Sequence, residues 1–146
     1  MIWVIDASVA VRWFLAEEAD SAADSVLREV IDKPEVFTVP ELFSFEVLAV
    51  LCRTHPRGAL VFRNGLLPLL SAGVLRHPMT ESLALHAESF LAQGLTGYDA
   101  CYAALARELR GLWLTYDAKA HKRIRRQRVS HLLTEGLPAG WPFNAG

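Results

Sequence analysis

Five short apolar runs, set apart by longer stretches with helical periodicity, restrict this chain more than any other feature. The runs occupy residues 2–6, 36–39, 74–77, 112–115 and 129–132. Each is long enough for one buried strand and too short for a helix. The intervening segments read as helices over about 8–16, 19–32, Pro40 through about Arg53, 80–92, 97–110 and 117–126. Pro40 suits a first helical position, Thr96 suits an N-cap, and Gly111 follows a last turn that carries Arg107 and Arg110. Strands joined through helices pair in parallel and need cover on both faces. The pattern therefore predicts an α/β domain of three layers, α/β/α, around a short and mostly parallel central sheet. Residues 57–72 carry more leucine and phenylalanine than one buried stripe requires, with interruptions near Gly65 and Pro68. This segment reads equally as core or as an interface. A single domain over 1–146 is expected, with 134–146 as a Gly/Pro-rich tail whose Trp141 and Phe143 dock on it.

Composition narrows the class. An apolar fraction of 52% with 21% charged residues is that of a globular core. No run of 18 uncharged apolar residues occurs, and Asp6 breaks the first apolar run, so neither a membrane span nor a signal peptide is expected and a cytoplasmic setting is. Cys52 and Cys101 lack a C-x-x-C partner and read as two buried thiols. The five histidines show no zinc spacing. The near-neutral total conceals an asymmetry. Residues 1–50 hold ten acids and three bases, a net of −7, whereas 119–128 alone hold six Lys/Arg. That stretch reads either as a solvated helix face or as a track for a polyanion.

Four acids lie in apolar surroundings: Asp6 closes the first run, Glu46 sits within PELFSFEVLAVL, Asp99 within TGYDACYAALA, and Asp117 just past the fourth run. Ligand sites of parallel sheets form beyond the carboxyl ends of the strands, where Asp6 and Asp117 fall. Asp99, in a helix first turn, starts from the same edge. Each has a plainer reading. Asp6 and Asp117 can cap the helices that follow, and Asp99 completes a capping box with Thr96. Glu46 is too far past Pro40 to cap anything, and its neighbours one turn away, Leu42 and Val50, are apolar. Glu41 reads as an exposed first-turn acid. Two carboxylates about 5 Å apart repel by roughly 3 kcal/mol at an effective dielectric near 20, so a gathered set implies a divalent cation.

The segments VIDASVAVRWF (4–14), that around Glu46, TGYDACYAALA (96–106) and LTYD (114–117) resemble the four signature blocks of PIN-domain ribonucleases. The similarity is greatest to VapC-type toxins of type II toxin–antitoxin pairs, and it runs through nearly the whole chain in order. Tyr116 stands where the family usually has a smaller residue. The resemblance implies that Asp6, Glu46, Asp99 and Asp117 hold one or two Mg2+ or Mn2+ ions. It also implies that Ser8 orients the first carboxylate or a water, and that Thr115 supports the fourth. It further implies a homodimer, and a groove among the N-terminal helices for a cognate antitoxin.

The chemistry expected of such a site is metal-dependent hydrolysis of RNA, leaving 5′-phosphate and 3′-hydroxyl ends. Arg12, Lys119, Lys122, Arg123 and Arg126 are the candidate RNA-binding cations. Two other readings stand beside it. One is a catalytically silent PIN-like module that binds RNA or protein. The other is a phosphotransfer enzyme with Asp6 as nucleophile, against which Ser8 occupies the second acidic position of the usual D-x-D pattern.

Overall fold

The computed structural model describes residues 1–142, and Phe143 lies outside them. Five strands, β1 (Trp3–Ile5), β2 (Phe37–Pro40), β3 (Leu75–His77), β4 (Leu112–Thr115) and β5 (Ser130–Leu132), form one sheet in the order β3-β2-β1-β4-β5. Every pairing is parallel. The chain builds outward from β1 to β3, then returns across β1 to add β4 and β5. The order therefore reverses between β1 and β4, and the crevice beyond their carboxyl ends is the switch point.

Helices α1 (Ala7–Ala10), α2 (Ser21–Asp32), α3 (Leu42–Thr54), α4 (Gly58–Val61), α5 (Leu67–Ser71), α6 (Glu81–Ala92), α7 (Gly97–Glu108) and α8 (Ala118–Ile124) cover the sheet. α7 lies against β1, β2 and β4, and its run from Ala100 to Ala106 is buried throughout. Small alanines let this helix approach the sheet closely, while Tyr102 fills the remaining gap by stacking on Trp113 at 5.8 Å with planes 7° apart.

Several boundaries differ from the expected ones for physical reasons. The first helix is only Ala7–Ala10, followed by 3-10 turns at Val11–Trp13 and Ala16–Glu18. Trp13 donates its indole N–H to the Ala23 carbonyl at 2.9 Å, and that tertiary bond turns the chain before a longer helix can form. Pro40 ends β2 instead of starting a helix, its register fixed opposite His77. Residues 62–66 form a π turn between α4 and α5. Pro68 has no N–H to continue an α ladder, and Gly65 lets the backbone pass the Phe14 ring, which a Cβ would meet at 2.6 Å. Cys101 is buried but Cys52 is exposed, because α3 turns Phe43, Val47 and Leu51 inward and leaves position 52 outside. Trp141 docks on Trp3 with ring centroids 4.8 Å apart, at the amino ends of the central strands and away from the switch point. Among the described residues, no helix is long and apolar enough to cross a membrane.

Candidate active site

Asp6 is the first residue past β1 and caps α1, its Oδ2 accepting from the Ser8 backbone N–H at 3.0 Å. Its Oδ1 accepts from the Trp113 indole, also at 3.0 Å. The capping reading of this residue is thus correct and compatible with a site, since each oxygen keeps a second lone pair. Ser8 Oγ accepts from the Tyr116 N–H at 3.1 Å, tying the turn after β1 to the turn after β4. Asp117 caps α8, its Oδ1 accepting from Ala120 N–H at 2.9 Å. The fully buried Thr115 accepts from the Asp117 N–H through Oγ1, at 3.0 Å. Thr96 caps α7 by accepting from the Asp99 N–H at 3.2 Å, and Asp99 stands in that helix's first turn. Glu46 arrives from α3. Its Oε1 and the Tyr102 hydroxyl are both buried, and neither closes a hydrogen bond of good geometry.

These residues line one open cleft of about 380 Å³, which includes Asp6, Ser8, Arg12, Glu46, Asp99, Tyr116 and Asp117. A smaller cavity of about 120 Å³ adjoins it, sharing Asp99 and Asp117 and adding Lys119 and Arg123. Lys122 and Arg126 are exposed on the same segment but line neither space. Arg12 lies against the Tyr116 ring, its guanidinium carbon 3.8 Å from the centroid, and donates to the Glu18 carbonyl at 3.2 Å. The Tyr116 hydroxyl in turn donates to Asp20. Tyr116 therefore serves as a wall that fixes Arg12 at the cleft's edge.

The electrostatics tie the acids to one another. Burial pushes Asp6 above its ordinary value of 3.8; the Ser8 and Trp113 hydrogen bonds oppose that, and the Asp117 charge adds to it. Glu46 is raised to about 7, first by burial, then by the charge of Asp6, with a smaller contribution from Asp99; the nearby Tyr102 hydroxyl pulls it down. Asp99 is raised to about 6 by burial and by the charges of Asp117 and Asp6, and it lies close enough to Asp117 to share a proton. Burial is the largest cause at all three, and like charge adds to it.

Among the described residues, no three His, Cys, Asp or Glu side chains converge tightly enough to make a ready-formed metal cage. The donor set nonetheless fits a hard cation. It is all oxygen, it carries excess negative charge, and it includes a buried Glu46 oxygen that closes no hydrogen bond of good geometry.

The PIN domain family profile matches residues 3–127. This chain belongs to the PIN domain family. No curated protein matches it in sequence. Solved structures share the fold at low identity. FitAcB from Neisseria gonorrhoeae superposes with a TM-score of 0.70 at 13% identity, covering 93% of this chain and 100% of that one. VapC20 from Mycobacterium tuberculosis, described as a sarcin-ricin loop cleaving toxin, gives 0.60 at 20% identity, over 82% and 93%. A toxin–antitoxin complex from Klebsiella pneumoniae gives 0.58 at 16%, over 81% and 88%. The chain thus has the fold of these solved structures.

Two supports of the site were not singled out from sequence: Trp113, which holds Asp6, and Tyr102, which stacks on Trp113 beside Glu46. The available signal was a tryptophan in a strand expected to be buried, whose N–H requires an acceptor.

Proposed function

We propose that this protein is a Mg2+- or Mn2+-dependent endoribonuclease, the toxin of a toxin–antitoxin pair. The observation that carries the reading is the assembly of four carboxylates from four separate elements into one cleft at the switch point, where Asp6, Glu46 and Asp99 are each raised by burial and further by the charge of at least one other member. Asp6, Glu46, Asp99 and Asp117 would hold the ion. When bound, a divalent cation supplies positive charge to the scissile phosphate and acidity to water.

The chain's own residues do the rest. The Trp113 and Ser8 hydrogen bonds oppose the rise that burial imposes on Asp6 and fix its direction. Thr115 and the α8 cap do the same for the direction of Asp117. Glu46 and Asp99 release protons within reach of neutral pH, so the cleft gains cation affinity as pH rises towards 8. Lys119 and Arg123 flank the carboxylates and suit the phosphates of an RNA strand, with Arg12 opposite. Among the described residues, no histidine or cysteine lines the cleft, which favours water as nucleophile and 5′-phosphate and 3′-hydroxyl products. A cognate antitoxin and a homodimer are proposed on the likeness to the solved toxin and toxin–antitoxin structures.

The test is incubation of structured RNA with the protein, with Mg2+ or Mn2+, with EDTA, and with an Asp99→Asn variant. Cleavage that requires both metal and Asp99 is expected. RNA binding without cleavage would assign a silent binding module, and 2′,3′-cyclic phosphate ends would contradict hydrolysis by water.

A further inference from the structure

Beside the cleft lies an aromatic groove that the carboxylate chemistry does not use. It measures about 390 Å³ and is lined by Leu42, Phe45, Glu46, Ala49 and Tyr98. Phe45 is 72% exposed and Tyr98 63%, although both are large and apolar-faced. Neither is needed by the core. On α3, Phe43, Val47 and Leu51 already supply the inward face, and on α7 burial begins only at Ala100. Each ring directly precedes a carboxylate of the cleft in sequence, Phe45 before Glu46 and Tyr98 before Asp99. Glu46 lines both spaces, so groove and cleft adjoin. The cationic cavity with Lys119 and Arg123 joins the same cleft through Asp99 and Asp117.

Resting on the nuclease reading above, we infer that Phe45 and Tyr98 form a stacking platform for an unpaired base of the RNA beside the phosphate held in the cleft. Every base has a π face, and stacking on exposed aromatic side chains is how single strands are bound without reading their edges. The arrangement would place aromatic contact at one end of the cleft and Lys119 and Arg123 at the other, so a strand crossing the carboxylates meets both. A second copy of this chain suits the groove less well. Two copies meeting there would bring two Glu46 side chains and their acidic clefts together, which like charge opposes. The platform selects single-stranded over duplex RNA, because a paired base cannot turn its face to it.

The experiment uses the full chain carrying Asp99→Asn, so that the RNA survives, and a short single-stranded RNA containing 2-aminopurine, in Mg2+. Stacking quenches this base's fluorescence. Quenching is expected with the parent and with Tyr98→Phe, and is lost with Phe45→Ala or Tyr98→Ala. Each alanine should weaken binding roughly 5- to 100-fold. Circular dichroism should be unchanged, since both rings are exposed. Unchanged quenching and affinity in the alanine variants would overturn the platform and leave the nuclease reading in place. A fall in molecular mass by light scattering in either alanine variant would overturn it by assigning the groove to a second copy. The wild-type chain is assayed for metal-dependent cleavage alongside, and its failure to cleave would remove the nuclease reading and this inference together.

Discussion

Replacing Asp99 by Asn should make the metal-free protein more stable, the reverse of what removing a helix first-turn acid ordinarily does. Asp99 stands at about 6 in the folded chain against an ordinary 3.8, so the folded state holds its proton more tightly than the unfolded one. For an acid raised in this way, stability is greatest below pH 4. It falls as pH climbs through 6, because ionisation then occurs at a cost in the fold alone. A difference of about two units corresponds to ~3 kcal/mol as an upper bound. The side chain is only half-buried, and solvent screening reduces this to about 1–1.5 kcal/mol. Loss of the favourable helix-dipole interaction subtracts about 0.5 kcal/mol. A net gain of about 0.5–1 kcal/mol is therefore expected at pH 7.5 in EDTA, or about 1–4 °C in melting temperature for a chain of this size. Urea unfolding at pH 4 and at pH 7.5 reads the effect directly, and the difference between wild type and variant should vanish at the lower pH. A variant less stable than wild type at pH 7.5, or a difference independent of pH, would show that Asp99 acts as a helix cap and is not strained by its neighbours.

Other substitutions test the supports of the site. Trp113→Phe removes the donor to buried Asp6 and leaves a void against Tyr102, so a loss of about 2–4 kcal/mol is expected in thermal or urea unfolding. Lys119→Ala and Arg123→Ala should each lower the salt slope of single-stranded RNA binding by about 0.7, whereas Lys122→Ala and Arg126→Ala, outside both cavities, should change it less. Gly58→Ala places a Cβ 2.2 Å from the Leu51 carbonyl oxygen, a backbone atom that cannot swing aside. The start of α4 must then move off α3, at about 1–3 kcal/mol by urea unfolding.

The strands are the most legible part of the sequence, because β1, β2 and most of β4 are bounded apolar runs buried on both faces, and the expected bounds of β4 match to the residue; β3 is an exposed edge strand that its flanking breaks mark out instead. The helix after β1 was not legible, since it stops where Trp13 and Arg12 find partners that only the assembled fold supplies, Ala23 and Tyr116. Glu46 was readable as out of place because an acid with apolar neighbours one turn away has no local explanation. Its partners were not readable, because Asp6 and Tyr102 reach it only through the parallel crossovers. Asp6 and Asp117 look like caps in the sequence and are caps in the structure, whereas Asp99 sits in the first turn of a helix that Thr96 caps. Their nearness to one another follows from the order of strands, which no local pattern encodes.

The claim beneath all of this is that the carboxylate cleft is a cation site, and Mn2+ binding to the full chain without RNA tests it most directly. Titration calorimetry at pH 6 and pH 8 should show saturable binding that tightens at the higher pH, as Glu46 and Asp99 give up their protons, and that weakens at least about ten-fold in Glu46→Gln. Absence of binding by the wild-type chain, or equal binding by Glu46→Gln, would contradict it.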